Sequence, residues 1–168
     1  NDIIVSCNEN SNLPKLLNYQ TNDLNTTCEK SYSNAIDIIN PSNYERFNCI
    51  INNYNDYNKI RLKSIIPTTS NDKETLYMIN YLYYKYNYLI DPHTAVAFDG
   101  LFNKYNYEKF NLNKQNIVIS TADPIKFYFE VDYEGKLKLS NEINSLLNKK
   151  EYIIDCSNDI NEIKKYLK

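Results

Sequence analysis

The residues that could do chemistry gather in three short stretches. "DPHTAVAF", Asp91 to Phe98, holds the one histidine of the sequence, His93. Asp91 before Pro92 is the pattern of a helix N-cap with proline at the first helical position, its carboxylate accepting N–H bonds from the next turn. His93 then falls in that turn as an imidazole able to give or accept a hydrogen bond. A capped helix with a hydrogen-bonded histidine accounts for these residue types, and a ligand-facing histidine is the alternative. In "ISTADPIKF", Ile119 to Phe127, an apolar run ends in two hydroxyl residues, Ser120 and Thr121, and Asp123 before Pro124 starts a second capped turn. A hydroxyl there either caps a helix or faces a ligand. In "IIVSCNENSN", Ile3 to Asn12, a β-branched run gives way to a polar loop at Asn8.

Several chemistries are poorly served. The four cysteines, Cys7, Cys28, Cys49 and Cys156, form no C-x-x-C pair, and with a single histidine there is no zinc-ligand spacing. No metal site is expected, and the cysteines read as reduced, partly buried packing residues. Only two glycines occur, Gly100 and Gly135, far apart, so neither G-x-G-x-x-G nor a P-loop can be built. A net charge of -2 with interleaved signs gives no electrostatic footprint for nucleic acid or an anionic membrane. No apolar run approaches the roughly 20 residues that span a bilayer, and no signal core follows the N-terminus. The chain reads as soluble and cytoplasmic. The 28 asparagines and 17 tyrosines look compositional, and "NCIINNYNDYNKI" is the nearest approach to low complexity.

The elements that must position these residues follow from periodicity. Ile3 to Ser6 reads as a buried parallel strand, with a short helix opening at Pro14. "NAIDII", Asn34 to Ile39, reads as a strand, and "NPSNYERFNCIINNY" as the helix after it. "NDKETLYMINYLYYKYN" predicts a helix with acidic residues in its first turn and Leu76, Ile79, Tyr83 and Tyr86 on one face. Ile117 to Ser120 reads as a strand, with a helix beginning near Pro124. Two polar-apolar helices lie around "SNEINSLLNKK" and "NDINEIKKYLK". Strands alternating with helices predict an α/β fold, an open, mainly parallel sheet with helices on both faces, in one segment over residues 1–168. Ligands of such sheets bind beyond the carboxyl ends of the strands, which points to the loops at Cys7 to Asn12, Asp91 to His93 and Thr121 to Pro124.

"SNAIDIINPSNYERF", "DPHTAVAF" and "STADPIKF", in this order and at these spacings, resemble the last third of threonine synthase, and "IIVSCNENSNLPKLL" resembles the strand and loop before them. The resemblance runs from about Ile3 to about Val131. It implies two α/β domains with pyridoxal phosphate between them, in a lyase of threonine biosynthesis. The cofactor there is held on a lysine as a Schiff base and serves as electron sink while phosphate leaves the γ-carbon of O-phosphohomoserine and water adds at the β-carbon. The Schiff-base lysine and the Gly-rich phosphate loop of that family have no counterpart in these residues. With no initiator methionine and an immediate apolar run, the chain is expected to be the C-terminal portion of a longer polypeptide, with no catalytic residue in this segment and the N-terminal part of the same polypeptide as its partner.

By the same resemblance, the hydroxyl of Thr121 meets the pyridine nitrogen of the cofactor; His93 matches the family's histidine, and Asn8, His93 and Asp123 are candidates for lining the pocket. The family usually has histidine where this chain has Asp123. If that carboxylate faces the site, it adds negative charge near a phosphorylated substrate. If it caps the helix, nothing changes. A threonine-synthase-like phospho-lyase or inactive paralogue, and a non-catalytic α/β binding module, are the alternatives.

Overall fold

The β-branched run near the amino end pairs in parallel with a second such run. In the computed structural model, which describes residues 2–18, 24–34, 38–46, 49, 64–104 and 115–167, β1 (Ile3–Asn8) and β2 (Ile65–Ser70) run in register from Ile3 opposite Ile65 to Asn8 opposite Ser70. β2 is the strand that sequence reading missed, because "IIPTTS" carries Pro67 at its centre. Proline lacks the N–H that a ladder needs on both sides. Among the described residues only one edge of β2 is paired, so the missing donor can face away from β1.

α1 (Leu13–Leu17) follows β1, with Pro14 in its first turn. β2 leads through Asn71 into α2 (Asp72–Tyr86), whose start is a full capping box: the Asn71 side chain accepts from Glu74 N–H and the Glu74 carboxylate accepts from Asn71 N–H. The helix ends at Asn87, held left-handed at φ 52°, a conformation asparagine tolerates better than most residues. α3 (Pro92–Asp99) runs into a π-helical turn, Gly100–Lys104, and a 3₁₀ turn spans Pro124–Phe127.

The core lies between α2, α3 and the segment after the 3₁₀ turn. Met78, Ile79, Leu82, Ile90, Ala95, Phe127, Val131 and Tyr133 form one buried cluster, in which each fully buried large side chain contributes roughly 1.5 to 3 kcal/mol. The buried stripe of α2 is Thr75, Met78, Ile79 and Leu82 rather than the expected Leu76, Ile79, Tyr83 and Tyr86. Leu76 packs at the margin, and Tyr86 stays exposed with the Lys85 ammonium over its ring. Tyrosines carry a polar tip and tolerate that half-wet position.

The α/β class and the parallel pairing are those expected. Ile117 to Ser120 departs from expectation: it takes no strand position, and Ile117 and Ile119 are exposed. A β-branched run becomes a strand only with a neighbour to pair with, and none among the described residues lies in register with it. Of the expected strand Asn34 to Ile39, residues 35–37 lie outside the described residues; of the helix after it, 43–46 and 49 are helical and the others lie outside. "NCIINNYNDYNKI" lies almost wholly outside them as well. None of the cysteines is in a disulfide, but only Cys7 is partly buried, while Cys28, Cys49 and Cys156 are exposed.

The chain divides into two compact units, Asn1–Leu137 and Lys138–Lys168. The second holds the two expected helices, α4 (Asn141–Leu147) and α5 (Ile160–Tyr166), capped by Ser140 and Asp159, with no buried residue in either.

Gly100 fixes how closely α3 approaches the sheet. A Cβ there would lie 1.9 Å from Ser6 Oγ, 2.5 Å from Thr68 Oγ1 and 3.0 Å from Ser6 Cβ. Gly100→Ala is expected to cost about 1 to 3 kcal/mol through overpacking, read as a lowered thermal midpoint. An unchanged midpoint would show that the sheet gives way freely.

Candidate functional site

α3 begins where Asp91, in extended conformation, turns into Pro92. Its carboxylate is 1 % exposed and accepts from the backbone N–H groups of His93 at 2.9 Å and Thr94 at 3.3 Å, and from the Thr94 hydroxyl. Burial by itself would raise this carboxyl, but the hydrogen bonds of His93 and Thr94 outweigh it and hold Asp91 below the ordinary aspartate value. The cap reading of "DP" is therefore observed, with more hydrogen bonds than an ordinary cap makes.

His93 Nδ1 lies 3.4 Å from Asp91 Oδ1, and its ring packs on Phe127 with centroids 5.2 Å apart. Nδ1 is buried and has no hydrogen-bond partner among the described residues. At Nδ1 the hydrogen bond expected of this histidine is not formed. The ring is positioned instead by packing and by the carboxylate beside it. The Tyr133 hydroxyl is a second buried polar atom with no partner among the described residues. Burial pushes this phenol up, and the charges of Asp91, Asp123 and Glu130 push it further.

Two stretches 26 residues apart in sequence meet here, because Thr94 Oγ1 lies 3.1 Å from Ser120 Oγ. Thr121 follows with an exposed side chain. Asp123 is exposed too, and its carboxylate accepts from Ile125 N–H at 2.9 Å, capping the 3₁₀ turn that carries Phe127 into the core. Asp91, His93, Thr94, Ser120 and Phe127 thus form one cluster, with Thr121 and Asp123 on the segment joined to it.

Asn8 is held by its own set of hydrogen bonds. At the carboxyl end of β1 its amide donates to Ser31 Oγ at 3.1 Å and Ser33 Oγ at 3.2 Å, and its oxygen accepts from Asn10 N–H. It begins a ladder of asparagines. Asn10 exchanges two hydrogen bonds with the Glu29 backbone, and Asn12, 0 % exposed, bonds the Asn25 backbone and the Asn40 side chain. Side-chain amides here replace backbone pairing across a loop. The alternation of Asn8, Asn10 and Asn12 was the available signal, and the composition masked it. An apolar cleft lined by Val5, Leu13, Leu17, Pro41, Tyr44 and Ile65 contains none of the candidate residues. Cys7 is an unpromising nucleophile, since burial pushes its thiol up.

No family model matches the chain. It is 27 % identical to the threonine synthase of Buchnera aphidicola subsp. Schizaphis graminum over 167 residues, 98 % of this chain and 36 % of that protein. Among solved structures it superposes on threonine synthase from Escherichia coli with a TM-score of 0.74 at 23 % identity, over 99 % of this chain and 37 % of that one. The PLP-bound threonine synthase from Brucella melitensis gives 0.72 at 23 % identity, over 99 % and 39 %. The chain spans about a third of the length of the curated relatives it matches. Its fold is therefore that of threonine synthase, over a part of the length of those proteins.

Proposed function

We propose that residues 1–168 form one α/β segment, the C-terminal portion of a longer cytoplasmic threonine synthase, which converts O-phosphohomoserine and water to threonine and phosphate with pyridoxal phosphate. The observation that carries this reading is the coincidence of fold and motif. The chain follows the threonine synthase fold over 99 % of its length, and within it "DPHTAVAF" and "STADPIKF" meet through Thr94 and Ser120. The fit to the cofactor rests on the donor chemistry of Thr121: a neutral hydroxyl, exposed, on a segment whose neighbours Ser120 and Asp123 are already engaged.

When bound, pyridoxal phosphate supplies the electron sink for carbanion chemistry. This chain's share is positional. Thr121 would donate a hydrogen bond from its hydroxyl to the ring nitrogen. Being neutral, it would leave that nitrogen largely unprotonated, where an aspartate would favour the protonated ring. His93, braced by Phe127 and Asp91, lines the pocket, as does Asn8 from the end of β1. Asp123 is spent on its cap, which favours the phosphorylated substrate of the family. The second reading, a related phospho-lyase with another substrate, draws on the same residue, because an exposed carboxylate here adds negative charge wherever it is free to turn. Exposed Ile117, Ile119 and Phe129 suit cover by the N-terminal part of the polypeptide. Expressing the full-length protein and measuring phosphate and threonine released from O-phosphohomoserine tests the proposal. Turnover that requires the cofactor is expected; cofactor binding without turnover of this substrate would favour the second reading.

The lysines of this segment are not expected to hold the cofactor covalently. Lys136 shows why: its side chain is 6 % exposed, yet it pairs with Glu134 at 2.5 Å, donates to Asn80 and lies over the rings of Tyr83 and Tyr84. Burial would lower it, but Glu134 and Tyr84 raise it above the ordinary lysine value, so the nucleophilic free amine is scarce. Incubating the 168-residue chain with pyridoxal phosphate, reducing with borohydride and mapping adducts by mass spectrometry should give no dominant stoichiometric product. One such adduct, at Lys126 for example, would contradict the assignment of that lysine to another part of the protein.

A further inference from the structure

Thr94 Oγ1 stands between two oxygens, the Asp91 carboxylate and Ser120 Oγ at 3.1 Å. A hydroxyl carries one proton, and an ionised carboxylate can only accept. Thr94 must therefore give its proton to Asp91, and the contact with Ser120 is filled only if Ser120 donates to Thr94. The hydrogen bonds run in one direction, from Ser120 through Thr94 to Asp91. Their far end is fixed, since Asp91 and Thr94 are each 1 % exposed within the first turn of α3. Their near end lies on a segment with no ladder partner among the described residues, where Ile117 and Ile119 face outward. Ser120 ties that segment to α3, and seven residues later buried Phe127, packed on His93, ties it again. Thr121 sits between the two ties.

Resting on the reading of Thr121 as a cofactor contact, we propose that Thr94 and Ser120 are positioning residues, whose hydrogen bond aims the Thr121 hydroxyl at the cofactor ring. They touch neither cofactor nor substrate and act only through where they hold residue 121. Ser120 is exposed and Thr94 buried, so the bond can be cut from the outer side without opening the core.

The test uses the full-length protein and reads the pyridoxal phosphate dissociation constant, the absorbance of the bound cofactor and the thermal midpoint. Ser120→Ala should weaken cofactor binding about five- to tenfold, the effect of one misaligned hydrogen bond, and alter the bound absorbance, with the midpoint nearly unchanged. Thr94→Val should do the same to the cofactor, Thr94→Ser should restore it, and the double variant should be no worse than either single one. In a Thr121→Val background, Ser120→Ala should have no further effect on affinity. If the parent binds cofactor and Ser120→Ala binds it equally well, or if Ser120→Ala still weakens binding when Thr121 is valine, the positioning role is wrong while the functional reading stands. If the parent does not bind the cofactor, both fall.

Discussion

Asp91→Ala lowers the stability of the fold by about 2 to 4 kcal/mol, more than the roughly 1 kcal/mol of an ordinary cap. Two backbone donors and the Thr94 hydroxyl lose their acceptor at a position that is 1 % exposed, where water cannot easily replace it. The loss depends on pH. The folded carboxyl sits below its ordinary value, so its contribution is complete above the ordinary aspartate range and disappears as pH falls through the lower folded value. The gap in thermal midpoint between parent and variant should thus be widest near neutrality and close below about pH 4. Turnover per folded molecule should fall little, because the bond between Ser120 and Thr94 does not need Asp91 to form. A variant that melts like the parent, yet has lost turnover, would move Asp91 from the scaffold into the site.

How much of this was legible depends on the range of the interaction. Caps are local, and all those read from sequence are present: Asp91 before Pro92, Asp123 before Pro124, and the acidic start of α2. β1 was legible from its β-branched run. β2 was not, since Pro67 argues against a strand unless one edge is known to be unpaired. Ile117 to Ser120 shows the reverse error: its residues have the right propensity, but a strand also needs a partner, and pairing is not written in the run itself. The site was read in pieces. Thr121, His93 and Asp123 are legible from motifs, whereas the contact between Thr94 and Ser120, 26 residues apart, and the burial of the Tyr133 hydroxyl depend on tertiary packing. That Asn8 ends a strand is legible in the run before it, whereas the use of its amide by Ser31 and Ser33 depends on tertiary packing. An asparagine-rich composition hides which asparagines do structural work.

The second large effect is expected at Thr121. Valine keeps the shape of threonine and removes its only polar group, so a ring nitrogen held by that hydroxyl loses its donor at a cost of roughly 1 to 3 kcal/mol once water is excluded. That corresponds to about five- to 150-fold weaker cofactor binding. The fold should persist, because Thr121 is exposed and belongs to no helix or strand. Thr121→Asp acts differently: a carboxylate beside the nitrogen favours its protonated form, which changes the ring's electron demand and with it the absorbance of the bound cofactor. A helix cap or a solvent-facing hydroxyl would show neither effect. Asp123→Ala provides the contrast, since losing its cap bond to Ile125 should cost about 1 kcal/mol of stability and leave cofactor affinity nearly as it was.

The most direct measurement is the pyridoxal phosphate dissociation constant of full-length parent and Thr121→Val, titrated side by side with their thermal midpoints recorded. Binding weakened at least fivefold, with the midpoint of the cofactor-free protein unchanged, is the expected result. Equal cofactor affinity in the two proteins would contradict the placement of Thr121 at the cofactor.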